Sequence, residues 1–170
     1  MLPSGIPEEL PAGDHRAAAE ALARAKARAV GRRVPDALVL GADTIVVIDG
    51  DRLGKPADAG EARQVLGRLR GRVHEVVTGV ALVDARSGRE ASTAVVSRVL
   101  MARYTDRVIE AYVASGAPLD KAGAYAIQDL GGELVDAVVG PYTNVIGLPL
   151  AATGRLLAAF GVSVRPAGSP

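Results

Sequence analysis

Hydrophobic and polar positions along the chain follow two periods, and together they predict an alternation of helices and strands. Residues 14–30 are Ala-rich with Arg and Lys on a polar side, and Asp14 suits a helix cap, so this stretch is expected to be helical. Residues 37–40 (Ala-Leu-Val-Leu) form a short apolar run ending at Gly41, as in a buried strand. Thr44–Ile48 is expected as a second strand, followed by a hairpin-type turn at Asp49-Gly50. Asp58 and Glu61 have capping-box spacing and open a helix to about Leu69. The Val-rich runs 75–83 and 93–101 flank the turn Asp84–Gly88 and read as an antiparallel pair. Thr105 caps a helix to about Ala114. A long loop from Gly116 to Gly123 then leads to short strands near Tyr125 and from Leu134 to Val139. Pro149 suits the first turn of a final helix that ends before Gly161, and the Pro- and Gly-rich residues 1–13 read as a loop. The class this predicts is α/β, with a mixed, twisted sheet and flanking helices.

Composition narrows the chemistry. A chain of 170 residues suits one domain with a real core. With one Phe and no Trp, that core must be aliphatic. A net charge of +1 gives no broad basic surface for duplex nucleic acid, so any nucleotide binds in a local pocket. The absence of cysteine excludes disulfides, thiolate zinc sites and Cys nucleophiles, and it is compatible with a cytoplasmic location. No segment has the apolar length of a membrane helix, and Met1–Gly5 is not expected to begin a signal peptide. The basic residues comprise seventeen Arg and only Lys26, Lys55 and Lys121 as lysines. Those three become candidates for positions that need a compact ammonium.

Three places can carry chemistry. Asp43 follows a strand end beside Gly41 and Ala42, where a carboxylate can project into a cleft; an Asx-turn residue fits the position as well. Gly54-Lys55-Pro56 falls one residue short of a P-loop and has Pro where that loop has Ser or Thr. It is therefore no P-loop, although Lys55 can hold a phosphate as a point charge or simply be a solvated turn lysine. The run from Pro118 to Gln128 places Asp120, Lys121, small residues and an amide together. Asp120 can bind a metal or orient a lysine, and Gln128 can read the edge of a base; a packed loop with a surface Asp–Lys pair is the alternative. His74 is expected to be structural, and no partner supports a triad or a zinc site.

Taken together, Gly41-Ala42-Asp43-Thr44, Leu53-Gly54-Lys55-Pro56, Gly71-Arg72-Val73-His74, Ala111–Gly116, Asp120–Gln128 and Asn144–Leu150 resemble the Maf family of nucleoside triphosphate pyrophosphatases, in order and over nearly the whole chain. The resemblance implies a two-lobed, Maf/ITPase-like α/β fold with a central nucleotide cleft. It also implies hydrolysis of a nucleoside triphosphate to the monophosphate and pyrophosphate with a divalent cation, usually Mg2+ or Mn2+. Asp43 then resembles the family's proton acceptor and a metal ligand, and Asp120 helps to hold the metal. Lys55 and Lys121 would hold phosphates with Lys26 near them, and Thr44 and Gln128 match the branch that prefers dTTP and UTP. The substrate would be a free nucleotide, with no nucleic acid or membrane as partner. Members of the family often form homodimers.

The family's first strand and its Ser-x-Ser-Pro-Arg-Arg phosphate-binding loop have no counterpart, and Ala25 and Ala102 stand where Glu and Arg are usual. Residues 1–170 are thus expected to be a single Maf-like domain whose native start lies upstream, and to be poorly soluble because of an exposed sheet edge. The competing function, from another class, is a non-catalytic nucleotide-binding regulator of cell division and septum formation.

Overall fold

The computed structural model describes residues 2–6, 13–128 and 130–163. Part of the expected loop at 1–13 falls outside them, and residues 2–6 carry no helix or strand. In chain order the elements are α1 (His15–Gly31), β1 (Leu38–Ile48), β2 (Asp51–Leu53), α2 (Ala59–Leu69), β3 (Val73–Asp84), β4 (Glu90–Met101), α3 (Asp106–Ala114), β5 (Val135–Val139), α4 (Tyr142–Val145) and α5 (Leu150–Ala159). The strands form one sheet in the order β2-β1-β3-β4-β5.

The α/β class stands, and the strands within it pair antiparallel. β1 with β2 and β4 with β5 are both antiparallel. A five-residue turn joins β3 to β4, closed by Asp84 N–H donating to the Arg89 carbonyl at 2.9 Å. Between β1 and β3, Ala85 N–H donates to the Ala37 carbonyl at one end and Arg72 pairs with Asp49 at the other, so the two strands run in opposite directions.

Most boundaries follow local chemistry. The Asp14 carboxylate accepts from Arg16 N–H and caps α1. At α2 the capping box forms: Asp58 accepts from Glu61 N–H, while the Glu61 carboxylate accepts from Ala57 N–H. Asp49 and Gly50 both have positive φ, 55° and 83°, as a two-residue hairpin turn between antiparallel strands requires. The expected mixed sheet is antiparallel, Thr105 stands at the N-cap of α3 without a side-chain cap hydrogen bond, and two strand expectations fail. Residues 37–40 and 44–48 are one strand, because Gly41 is a close-packing site rather than a terminator. Tyr125 is extended but belongs to no strand, because three-ten turns at Ala117–Asp120 and Ala122–Ala124 lead the chain outside the sheet. The short helix α4 carried no signal of its own.

The chain divides into two compact units: residues 1–43, 78–95 and 147–170, and residues 44–77 and 96–146. In the first, α1 lies directly on strand backbone. A Cβ on Gly79 would sit 2.2 Å from the Ala19 carbonyl oxygen, and one on Gly41 would sit 2.3 Å from that of Ala23. Ala18, Ala19, Ala23 and Ala27 supply the matching small face of the helix and are fully buried. In the second unit, α2, α3 and the three-ten turns enclose Leu66, Leu69, Met101, Leu134 and the ring of Tyr104. The Tyr104 hydroxyl donates to the Leu66 carbonyl at 2.7 Å. Asn144 Nδ2 donates to the Val76 carbonyl and to Ser97 Oγ, which ties α4 to β3 and β4. No helix among the described residues is long and apolar enough to cross a membrane.

The packing predicts opposite outcomes for two identical substitutions. Gly79→Ala drives a methyl group into helix backbone that cannot rotate away, and urea unfolding should show a loss of at least about 3 kcal/mol. Gly154→Ala, inside α5 with nothing within 4 Å of its added Cβ, should gain about 0.5–1 kcal/mol from helix propensity.

A second prediction concerns pH. His74, 2% exposed, is pushed by burial from an ordinary pKa of 6.5 down to about 4. The unfolded chain therefore takes up a proton near pH 6.5 that the folded chain refuses. Stability is full above that pH and falls between 6.5 and about 4. Between pH 7.5 and 4 the wild type should lose about 3 kcal/mol more than His74→Gln. Equal losses in urea titrations at the two pH values would contradict it.

Candidate active site

In the first unit the site begins with the strand period. Along β1 Val39, Gly41 and Asp43 lie on the buried face, and Asp43 is only 8% exposed. A carboxylate so enclosed needs a compensating charge. Lys26 supplies it, donating from Nζ to Asp43 Oδ1 at 2.6 Å. The reach follows from packing. Lys26 lies one turn beyond Ala23, whose carbonyl faces Gly41, so α1 lies as close to β1 as backbone allows. Lys26 keeps 20% of its side chain exposed and Asp43 keeps 7%, so the pair meets solvent mainly on its cationic side.

Thr44 is the next residue of the same strand, and alternation turns its side chain to the face opposite Asp43. Neighbours in sequence, the two are not neighbours in direction.

In the second unit, Lys55 and Lys121 are carried by two turns that are bonded to each other. Lys55 is exposed in the turn after β2, and the adjacent Gly54 carbonyl accepts from Gly123 N–H at 3.0 Å. Lys121 donates to Asp120 Oδ1 at 2.6 Å. This hydrogen bond holds the Asp120 carboxyl below its ordinary range; slight desolvation opposes the shift, and the Lys55 charge adds a smaller lowering. Asp120 itself stands at the end of a three-ten turn with 76% of its side chain exposed. Gln128 is exposed in the turn that closes this stretch.

The structure thus brings Lys26 to Asp43, and Lys55 and Lys121 to Asp120. It leaves Gln128 open to solvent. Among the described residues no group of three or more His, Cys, Asp or Glu is placed to hold a metal ion. The exposed Asp120 carboxylate is open to a cation that arrives with its ligand, since Mg2+ commonly takes one or two carboxylates and completes its shell with phosphate oxygens and water.

Sequence reasoning passed over the residues that set this geometry. In one dimension Gly41 reads only as a strand end and Gly79 as one position in a Val-rich run, since the reason for both is a helix packed on them. His74 was expected to be structural, but its partner was not foreseen: Nε2 is hydrogen-bonded to the Tyr125 hydroxyl at 2.8 Å, within the stretch that carries Lys121 and Gln128.

Comparison with known proteins agrees with the motif order. The profile of the family described as Maf-like protein matches residues 1–160. The chain is 54% identical over 145 residues to the dTTP/UTP pyrophosphatase of Moorella thermoacetica, a match covering 85% of this chain and 75% of that protein. It is 50% identical over 150 residues to the dTTP/UTP pyrophosphatase of Symbiobacterium thermophilum, covering 88% and 76%. Over 165 residues it is 44% identical to the protein of the same name from Pelotomaculum thermopropionicum, covering 96% and 86%. With its motifs in order and a family match over nearly its whole length, the chain belongs to the Maf family.

Proposed function

We propose that the chain hydrolyses dTTP and UTP to the monophosphate and pyrophosphate in the cytoplasm. The observation that carries this reading is the enclosed Lys26–Asp43 pair, in a chain so similar to proteins named for that reaction. In the reaction a water oxygen forms a bond to the α-phosphorus and the bond from that phosphorus to the bridging oxygen of the β-phosphate breaks. Asp43 takes the proton that the water gives up. Lys26 offsets the charge of Asp43 before substrate binds and limits the directions in which the carboxylate can turn.

Phosphoryl transfer asks for positioning and charge neutralisation more than for covalent chemistry. Lys55 and Lys121 suit the neutralising role, each a compact ammonium on a turn braced by the Gly54–Gly123 hydrogen bond. Asp120 would help to hold a Mg2+ or Mn2+ ion together with the phosphates. That ion would supply further positive charge against the pyrophosphate leaving group. Gln128, with a donor and an acceptor exposed at the end of its segment, suits recognition of a pyrimidine edge, and Thr44 accompanies it as a selectivity residue.

A regulator that only binds nucleotide has no use for a carboxylate desolvated beside an ammonium, and this favours the enzyme over the non-catalytic alternative. Pyrophosphate release from dTTP and UTP with Mg2+ tests the choice. The wild type should turn over, and Asp43→Asn, which keeps the shape and removes the base, should lower kcat by roughly a hundredfold or more. A wild type that releases no pyrophosphate refutes the enzymatic reading. Lys121→Gln should raise KM for UTP more than it lowers kcat if that ammonium binds phosphate in the ground state as well as in the transition state.

A further inference from the structure

The segment from Lys121 to Gln128 is fixed far more tightly than an irregular stretch requires. Gly123 N–H donates to the Gly54 carbonyl, and Ala124 N–H to the Lys121 carbonyl, both at 3.0 Å. The Tyr125 hydroxyl is hydrogen-bonded to His74 Nε2 at 2.8 Å, with the two rings edge to face, 5.5 Å apart. Ala126 N–H donates to the Tyr112 hydroxyl at 3.3 Å. Loops normally satisfy such groups with water or neighbouring backbone. Here two buried phenols, one from α3 and one within the segment, take that part.

The backbone is strained where the clamp holds it. Ala124 has φ 59°, a left-handed conformation that costs a residue with a Cβ roughly 1–2 kcal/mol. It follows Gly123 at φ 72°, whose hydrogen already faces Val46: a Cβ there would lie 3.0 Å from both Val46 methyl groups. Strain of this kind persists only where the surroundings over-determine it, and it clusters at functional sites. His74, Tyr112 and Tyr125 are the surroundings, each at most 6% exposed.

We propose that Tyr112 and Tyr125, with His74 behind Tyr125, are positioning residues that set the conformation of residues 121–128 and thereby the nucleotide selectivity exercised through Gln128. None of the three need touch substrate. The inference rests on the pyrophosphatase reading above and on the part given there to Gln128. Ala126, the residue held by Tyr112, precedes Gln128 by two positions, and Tyr125 precedes it by three. A displacement of the clamp is therefore carried to the Gln128 amide with little chain in which to dissipate.

The experiment compares the wild-type protein with Tyr112→Phe, Tyr125→Phe and Tyr104→Phe. Each variant loses one buried hydroxyl and no ring. Tyr104 is the control: its hydroxyl donates to the Leu66 carbonyl and to no residue of the segment. The readout is the ratio of kcat/KM for UTP to that for CTP, with folding followed by circular dichroism. A smaller folded fraction lowers turnover of both nucleotides alike and leaves the ratio unchanged, so a purely structural role does not move it. Tyr112→Phe and Tyr125→Phe should lower the ratio by about tenfold or more, since small misplacements of a recognising group carry penalties of that order. Tyr104→Phe should keep the wild-type ratio. If the first two variants also keep it, or if all three shift it equally, the proposal is overturned while the enzyme reading stands. A wild type without pyrophosphate release overturns the enzyme reading and this inference with it, and one that turns over CTP as well as UTP removes the role given to Gln128.

Discussion

The contact on which the Lys26–Asp43 pair depends is backbone against backbone, where α1 meets β1 and β3. At Gly41 and Gly79 no side chain stands between helix and strand, and the helix answers with a row of alanines. The dispersion gained in such a contact is spread over many small atoms. What matters chemically is the distance it fixes. A lysine on this helix reaches a carboxylate on this strand without a gap, and the pair is desolvated by the same packing that forms it. An interposed methyl group would alter both at once, so the fold's stability and the electrostatics of Asp43 share one cause.

The second unit achieves comparable fixation by other means. Its lysines sit on turns, which are poor platforms unless tied down. The ties are polar: the Gly54–Gly123 bond between two turns, the phenols of Tyr112 and Tyr125, and a histidine kept neutral by burial. Polar ties are directional, so they specify conformation more sharply than apolar contacts do. A strained residue such as Ala124 can persist inside them.

Much of this was legible in the sequence because it is local. The caps at Asp14 and Asp58 and the Asp49-Gly50 turn depend on residues a few positions apart, and they form as their chemistry dictates. The candidate residues were legible for another reason: a chain that uses Arg almost everywhere keeps Lys at three places, and a family resemblance gave those places roles. What could not be read is non-local. Gly41 looks like a strand terminator until the helix that crosses it is known. Tyr125 looks like a strand residue until the three-ten turns beside it and the distant His74 are placed. The alternation of Asp43 and Thr44 was readable in principle, but only after both had been assigned to one continuous strand.

The choice of aromatic residues has a spectroscopic consequence. With no Trp in the chain, ultraviolet emission comes from four tyrosines, and all four fall within residues 96–146. Three of them are buried, and two of those grip the segment that carries Lys121 and Gln128. Unlabelled fluorescence from this protein is thus a local gauge: it registers events around the clamp, while the unit that holds Lys26 and Asp43 stays dark.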